Sequence, residues 1–225
     1  KHEEALRIAC RYASEFFHEQ LLTSEKAIAY LKERNISPDN DFSVGYAPSG
    51  GKLLSWAKSK GIKPEYLLEA GLLRESERGE LRDYFWDRIV FPICSPTGKV
   101  IAFTGRILEK KKDAPKYLNS PDTPIFIKGE NLFALNLARA KIRNENRVYV
   151  VEGNFDAIRL YTLGVTNVVA PCGTALTDQQ IDLLAKYSHN VTLIYDGDIA
   201  GQKATDKNAQ ALINKKFNVN VMILP

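Results

Sequence analysis

Sulfur and imidazole are scarce in this chain, whose 225 residues include three cysteines, three histidines and one methionine. Cys10, Cys94 and Cys172 form no Cys-x-x-Cys pair, and an odd number gives no disulfide framework; reduced, structural thiols in a cytoplasmic protein are expected. His2, His18 and His189 are scattered without ligand spacing, so no zinc is expected in this fragment. No apolar run approaches the ~20 residues that cross a bilayer, and no secretory signal opens the chain. The expectation is a soluble protein with no membrane partner. Internal repeats and low-complexity linkers are also missing. The only methionine is Met222, so the chain lacks an initiator, and it stops at Pro225 just after an apparent strand. Both ends therefore read as boundaries with further chain beyond each.

What is present is enough apolar content, 44%, to bury one or two cores. The net charge of +4 is unevenly spread. Residues 98–147 hold eleven Lys or Arg against five acids, while the flanking stretches 1–97 and 148–225 are each at −1. A basic belt beside acidic residues suits polyanion chemistry. For Lys110-Lys111-Lys112 alone, a solvated loop explains the charge as well.

The acids stand in a pattern. Val148-Tyr149-Val150-Val151 is a short β-branched run that delivers Glu152-Gly153 and then Asp156; Val191 to Tyr195 is another that delivers Asp196-Gly197-Asp198. Helical spacing covers Phe155 to Leu163, Asp178 to Lys186 and the stretch after Asp198, with further strands at Val165 to Ala170 and Val219 to Leu224. Alternation of this kind predicts right-handed crossovers and a mainly parallel sheet with helices on both faces. Strand ends in such a sheet present charge at one edge. Glu152, Asp156, Asp196 and Asp198 crowded there would repel one another unless a cation neutralised them, and hard oxygen ligands suit Mg2+ or Mn2+. Gly153 and Gly197 are expected to let the backbone turn sharply and to leave room beside the acids. The alternative is that each acid is an ordinary helix cap or loop residue.

Upstream, apolar residues at spacings of three and four predict helices through residues 1–34, and their aromatics belong to a core. A short strand at Phe42 to Ala47 and helices at Leu53 to Lys60 and Pro64 to Ala70 follow, with Gly71 as a helix stop. From Tyr84 the character becomes β: Arg88 to Ile93, a Pro96-Thr97-Gly98 turn and Val100 to Phe103 form a hairpin.

Val151-Glu152-Gly153 with Asp156, and Tyr195-Asp196-Gly197-Asp198 with Ala200-Gly201, resemble the two signature motifs of a TOPRIM domain. Primases, topoisomerases, OLD-type nucleases and RecR-like recombination proteins share that domain. Arg88 to Ile93, Gly98 to Arg106, Pro115-Lys116-Tyr117-Leu118-Asn119-Ser120-Pro121 and Phe126-Ile127-Lys128-Gly129 are similar to the catalytic core of the DnaG-type bacterial primases, as is Tyr30-Leu31-x-x-Arg34. The likeness covers nearly the whole chain in family order. It implies a mixed α+β basic subdomain over 1–127 and a TOPRIM subdomain, Rossmann-like with a mainly parallel sheet, over 128–225.

The activity so implied is template-directed synthesis of short RNA primers on single-stranded DNA from ribonucleoside triphosphates, with Mg2+ or Mn2+. Glu152 takes the role of the essential acid, ligating metal or accepting a proton; Asp156, Asp196 and Asp198 help bind the ions. Arg34, Arg88, Arg106, Lys116, Asn119 and Lys128 line the face that holds template and nucleotide. In a Leu-Asn-Ser-Pro turn, Asn119 could equally bond its own backbone. A monomer is expected, and a replicative helicase is the expected partner through regions outside this chain. The chain departs from the pattern at Tyr84 and Trp86, where arginines are common, and at Asn35, where glycine is usual; the family's third acidic cluster is missing from the sequence up to Pro225. A TOPRIM nuclease and a non-catalytic nucleic-acid-binding module are the alternatives.

Overall fold

The computed structural model describes residues 1–109, 114–173 and 175–224. Lys110, Lys111, Lys112 and Thr174 lie outside the described residues. The chain forms two compact units, residues 1–93 with 99–127, and residues 94–98 with 128–225.

The first unit opens on α1 (His2–Leu22), which buries Leu6, Ala9, Ala13, Phe16, Phe17 and Leu21 at the helical spacing the sequence shows. Helix α2 (Glu25–Lys32) follows, capped by the Ser24 hydroxyl on the Ala27 amide. Strand β1 (Gly45–Ala47) is shorter than expected. Helices α3 (Lys52–Ser59) and α4 (Pro64–Glu69) come next, and Gly71 stops the latter at φ +71°, where a side chain would be strained.

Next comes a hairpin that hydrophobic patterning does not announce, β2 (Leu73–Glu75) against β3 (Leu81–Asp83), with Arg74 directly opposite Arg82. Asp83, at its end, accepts the Leu53 and Leu54 amides at 2.8 and 3.0 Å. It thereby caps α3, whose own preceding residue, Gly51, has no side chain to do so. The expected hairpin then forms from β4 (Arg88–Cys94) and β5 (Val100–Ile107), and β6 (Tyr117–Asn119) adds an edge. The sheet runs β1-β4-β5-β6. Helix α1 lies on β1 and β5, and its Phe17 meets Phe103 edge-on at 5.6 Å.

The second unit starts with a 3-10 turn (Lys128–Glu130), a two-residue strand β7 (Leu132–Phe133) and α5 (Leu135–Glu145), where the sequence shows only a basic stretch. It continues as β8 (Val148–Val151), α6 (Asn154–Thr162), β9 (Val168–Pro171), α7 (Asp178–Ala185), β10 (Asn190–Asp196), α8 (Ile199–Asn214) and β11 (Asn218–Leu224). The order is β11-β10-β8-β9-β7, parallel except for β7. Val148, Val150, Val191 and Leu193 face one apolar cluster with residues of α5, α7 and α8. Helix α6 packs on β8 and β9 but shares none of its buried residues with that cluster, so it covers the other face. Among the described residues no helix is long and apolar enough to cross a membrane.

Candidate active site

The two central strands end together. Their register pairs Val151 with Ile194, so the next residues are Glu152 and Tyr195, with Asp196 one step on. Glu152 Oε1 accepts the Asp196 amide at 3.1 Å. Asp156, at the third position of α6, accepts the Gly153 amide at 3.0 Å, and Asp198 caps α8 by accepting the Gly201 amide at 2.7 Å. All four acids are exposed. Partial desolvation raises the pKa of Glu152; the charges of Asp196, Asp156 and Asp198 push the same way, and the Asp196 amide opposes them. The mutual repulsion expected from the sequence is therefore present in the fold. The cap reading is also correct for one oxygen each of Asp156 and Asp198.

Of the two roles expected of Gly153, a sharp turn and room beside the acids, the backbone supports only the second. Gly153 is extended, φ −138°, a backbone any residue adopts, so it supplies no special turn. A Cβ there would sit 3.2 Å from Asp156 Oδ2, which makes its value one of space. Gly201 is the glycine the site depends on: a Cβ would strike the Asp196 carbonyl oxygen and lie 2.8 Å from Glu152 Oε1. The spacing Asp-x-Ala-Gly was visible in the sequence, but its cause is this approach of α8 to both strand ends.

Among the described residues, no three His, Cys, Asp or Glu side chains form a ready-made ion cage. An exposed set of carboxylate oxygens with internal repulsion suits a hard divalent ion that keeps several waters, rather than a fully enclosed one. The donor chemistry fits Mg2+ or Mn2+, and the charges of Asp196, Asp156 and Asp198 all act on Glu152.

Lys128 comes to the same edge of the sheet, one strand over. Its turn is fastened to α7: the Thr177 hydroxyl donates to the Gly129 carbonyl, and Gln180 Nε2 donates to the Asn131 carbonyl at 2.7 Å. The Lys128 stem passes Gly173, just beyond β9, 3.4 Å from where a Cβ would stand. Cys172 beside it is buried, and burial pushes the thiols of Cys10, Cys94 and Cys172 up to about 12, 11 and 12, so all three stay protonated at neutral pH.

In the first unit, three of the expected basic residues gather around two tyrosines. Arg106 Nε donates to Tyr30 Oη at 2.6 Å and its NH1 to Tyr117 Oη; Arg34 lies over the Tyr30 ring at 3.6 Å; Lys116 Nζ is 5.9 Å from the Tyr117 ring. Both tyrosines fall in stretches that resemble the family, Tyr30-Leu31-x-x-Arg34 and Lys116-Tyr117-Leu118-Asn119, but the sequence singles out neither as a partner of the basic residues. Arg88 does not join them. It is 4% exposed in an inner strand, and its guanidinium donates to the Gly105 and Pro115 carbonyls, so it ties backbone instead of facing solvent. Asn119 lies in β6, not in a turn, with its amide oxygen accepting from the Thr104 hydroxyl at 2.8 Å.

Comparison with known proteins gives two family matches. Residues 16–139 match the DNA primase catalytic core, N-terminal domain, and residues 149–225 match a Toprim-like domain. The DNA primase of Aquifex aeolicus is 41% identical over 99% of this chain. The chain belongs to the DNA primase catalytic core family. This primase core spans 45% of that relative's length. It superposes on the crystal structure of the zinc-binding and RNA polymerase domains of the Aquifex aeolicus primase with a TM-score of 0.94 and 41% identity, covering all of this chain and 56% of that one. Against the DnaG primase catalytic domain bound to single-stranded DNA, the TM-score is 0.84 at 33% identity, covering 100% of this chain and 74% of that one. The nuclease and non-catalytic alternatives are not favoured. Within the primase core, the Asn35 departure has a backbone explanation: its φ is +54°, the left-handed region where glycine is easiest and asparagine the usual substitute.

Proposed function

We propose that this chain is the catalytic part of a DNA-directed RNA polymerase that makes short RNA primers on single-stranded DNA. The observation that carries the reading is the meeting of Glu152, Asp196 and Asp198 at adjoining ends of parallel strands, with Glu152 tied to the Asp196 amide. Glu152, Asp196 and Asp198, with Asp156, hold one or more Mg2+ or Mn2+ ions. When bound, the metal supplies a lowered pKa for the primer 3′-hydroxyl and charge stabilisation for the in-line displacement.

The protein's own groups position the reactants. Glu152, whose pKa is raised chiefly by partial desolvation, is placed to ligate or to accept a proton. Lys128 offers its ammonium to phosphate from the turn that α7 holds. Arg34, Arg106 and Lys116 bind phosphates without reading sequence. Asn119, its oxygen held by Thr104, offers its amide nitrogen to a sugar or base edge. Ribonucleoside triphosphates and single-stranded template are the substrates, and a replicative helicase engages regions outside this chain. A monomeric, cytoplasmic protein completes the reading.

The test is de novo ribonucleotide incorporation on single-stranded DNA by the full-length protein with Mg2+ or Mn2+. Synthesis that persists undiminished in a Glu152→Gln variant would overturn the assignment.

A further inference from the structure

Helix α8 turns Gly201, Thr205, Asn208 and Leu212 toward the core. Thr205 satisfies its hydroxyl within the helix, on the Gly201 carbonyl at 2.8 Å. Asn208 instead reaches other elements. It is 1% exposed, asparagine is a weak helix former, and a buried amide costs stability unless it is bonded. Its Oδ1 accepts the Leu176 amide at 3.1 Å, and its Nδ2 donates to Tyr195 Oη at 2.6 Å. Leu176 follows β9 and Tyr195 lies in β10, and the sheet order puts β8 between those strands. One side chain therefore joins the two flanks of the strand that ends at Glu152. Each partner is also one residue from a group of the site. Leu176 precedes Thr177, whose hydroxyl donates to the Gly129 carbonyl next to Lys128. Tyr195 precedes Asp196, whose amide donates to Glu152.

Leucine would fill much the same space in this core with no polar group to satisfy, so what the amide ties together is the reason for it. Apolar contact is non-directional, whereas two hydrogen bonds on one planar group fix direction as well as distance. We propose that Asn208 is a positioning residue of the nucleotidyl-transfer site. It holds the Lys128 turn in register with the acidic strand ends, so that the lysine and a cation on the acids can share one triphosphate. The assignment rests on the phosphate role given above to Lys128 and the metal role given to Glu152, Asp196 and Asp198. It adds a residue that touches neither substrate nor ion.

Titrations of the full-length protein read the two sides of the site separately. Mn2+ alone, followed by electron paramagnetic resonance, reports the acids; ATP in the presence of Mn2+, followed by calorimetry, reports the acids and Lys128 together. Asn208→Leu, studied well below its melting midpoint, should bind Mn2+ as the parent does and ATP about tenfold more weakly. In a Lys128→Ala background the same substitution should change ATP affinity by less than about twofold, because the group it positions is gone. Tyr195→Phe keeps its ring in the core, breaks the same link from the strand side and should show the same split, which keeps the test open if Asn208→Leu does not fold. Loosening of the whole fold would instead weaken Mn2+ and ATP alike, in both backgrounds. That pattern, or unchanged ATP affinity in the variants, overturns the assignment alone. A parent that binds no Mn2+, or a Lys128→Ala variant that binds ATP as the parent does, refutes the reading of the site and this assignment with it.

Discussion

The carboxylate of Glu152 and the backbone amide of Asp196 meet at 3.1 Å, joining the carboxyl ends of two neighbouring parallel strands. Partial desolvation, helped by the charges of Asp196, Asp156 and Asp198, disfavours the charged form of Glu152 in the fold, and the amide bond only partly offsets this. A group whose folded pKa is raised contributes stability below its unfolded pKa and loses it as pH rises through the folded pKa. Thermal melting of the metal-free protein is therefore expected to weaken as pH climbs through the carboxylate range, and Glu152→Gln should flatten this dependence and raise the midpoint at neutral pH. Millimolar Mg2+ or Mn2+ should stabilise the parent and not the variant. In the full-length protein the same substitution is expected to lower primer synthesis by roughly a thousandfold, the scale of several kcal/mol of charge stabilisation.

Gly201 gives a prediction in which two effects oppose. Alanine is the better helix former by about 1 kcal/mol, which alone would stabilise α8. A Cβ at this position, however, meets backbone at Asp196 and Oε1 of Glu152, and backbone cannot swing aside. Overpacking of this kind costs typically ~1–3 kcal/mol, so Gly201→Ala should destabilise on balance. Displacing Glu152 should also weaken Mn2+ binding by about 10–100-fold, measurable by electron paramagnetic resonance titration. Unchanged stability with unchanged Mn2+ affinity would show that α8 can shift without cost.

Tyr30 and Tyr117 hold Arg106 by their hydroxyls. Tyr30→Phe keeps the ring beneath Arg34 and removes only the acceptor, so loss of order should be confined to Arg106. Fluorescence anisotropy with labelled single-stranded DNA is expected to show a several-fold loss of affinity in the Tyr30→Phe, Tyr117→Phe pair. Arg106→Ala should reduce the slope of log affinity against log salt by about 0.7, one phosphate on a single strand. A slope identical to the parent's would remove Arg106 from the phosphate contacts.

Asp83 caps α3 from the far end of the β2–β3 hairpin. Asp83→Ala leaves two amides without acceptors in a buried place and is expected to cost about 1–3 kcal/mol in urea unfolding. Hydrogen exchange should quicken at Leu53 and Leu54 before it does in α1. Uniform quickening across the first unit would instead mean that Asp83 acts on the whole fold.

Much of this molecule is written locally. Short β-branched runs closed by Glu152 and by Asp196 determine parallel strands with acids at one edge, because period and propensity act over a few residues. The heptad-like spacing of α1 determines its buried face in the same way. Tertiary structure decided the rest. Arg88 and Arg106 are the same residue in successive strands, yet one is sealed against carbonyls and the other is held by two tyrosines, since burial depends on neighbours distant in the chain. The Arg74–Arg82 ribbon is too short and too charged to show alternation, and only its packing on α3 through Asp83 makes it a structural element. Gly201 likewise has an ordinary helical backbone, and the demand for glycine comes entirely from Asp196 and Glu152 pressing on it across space.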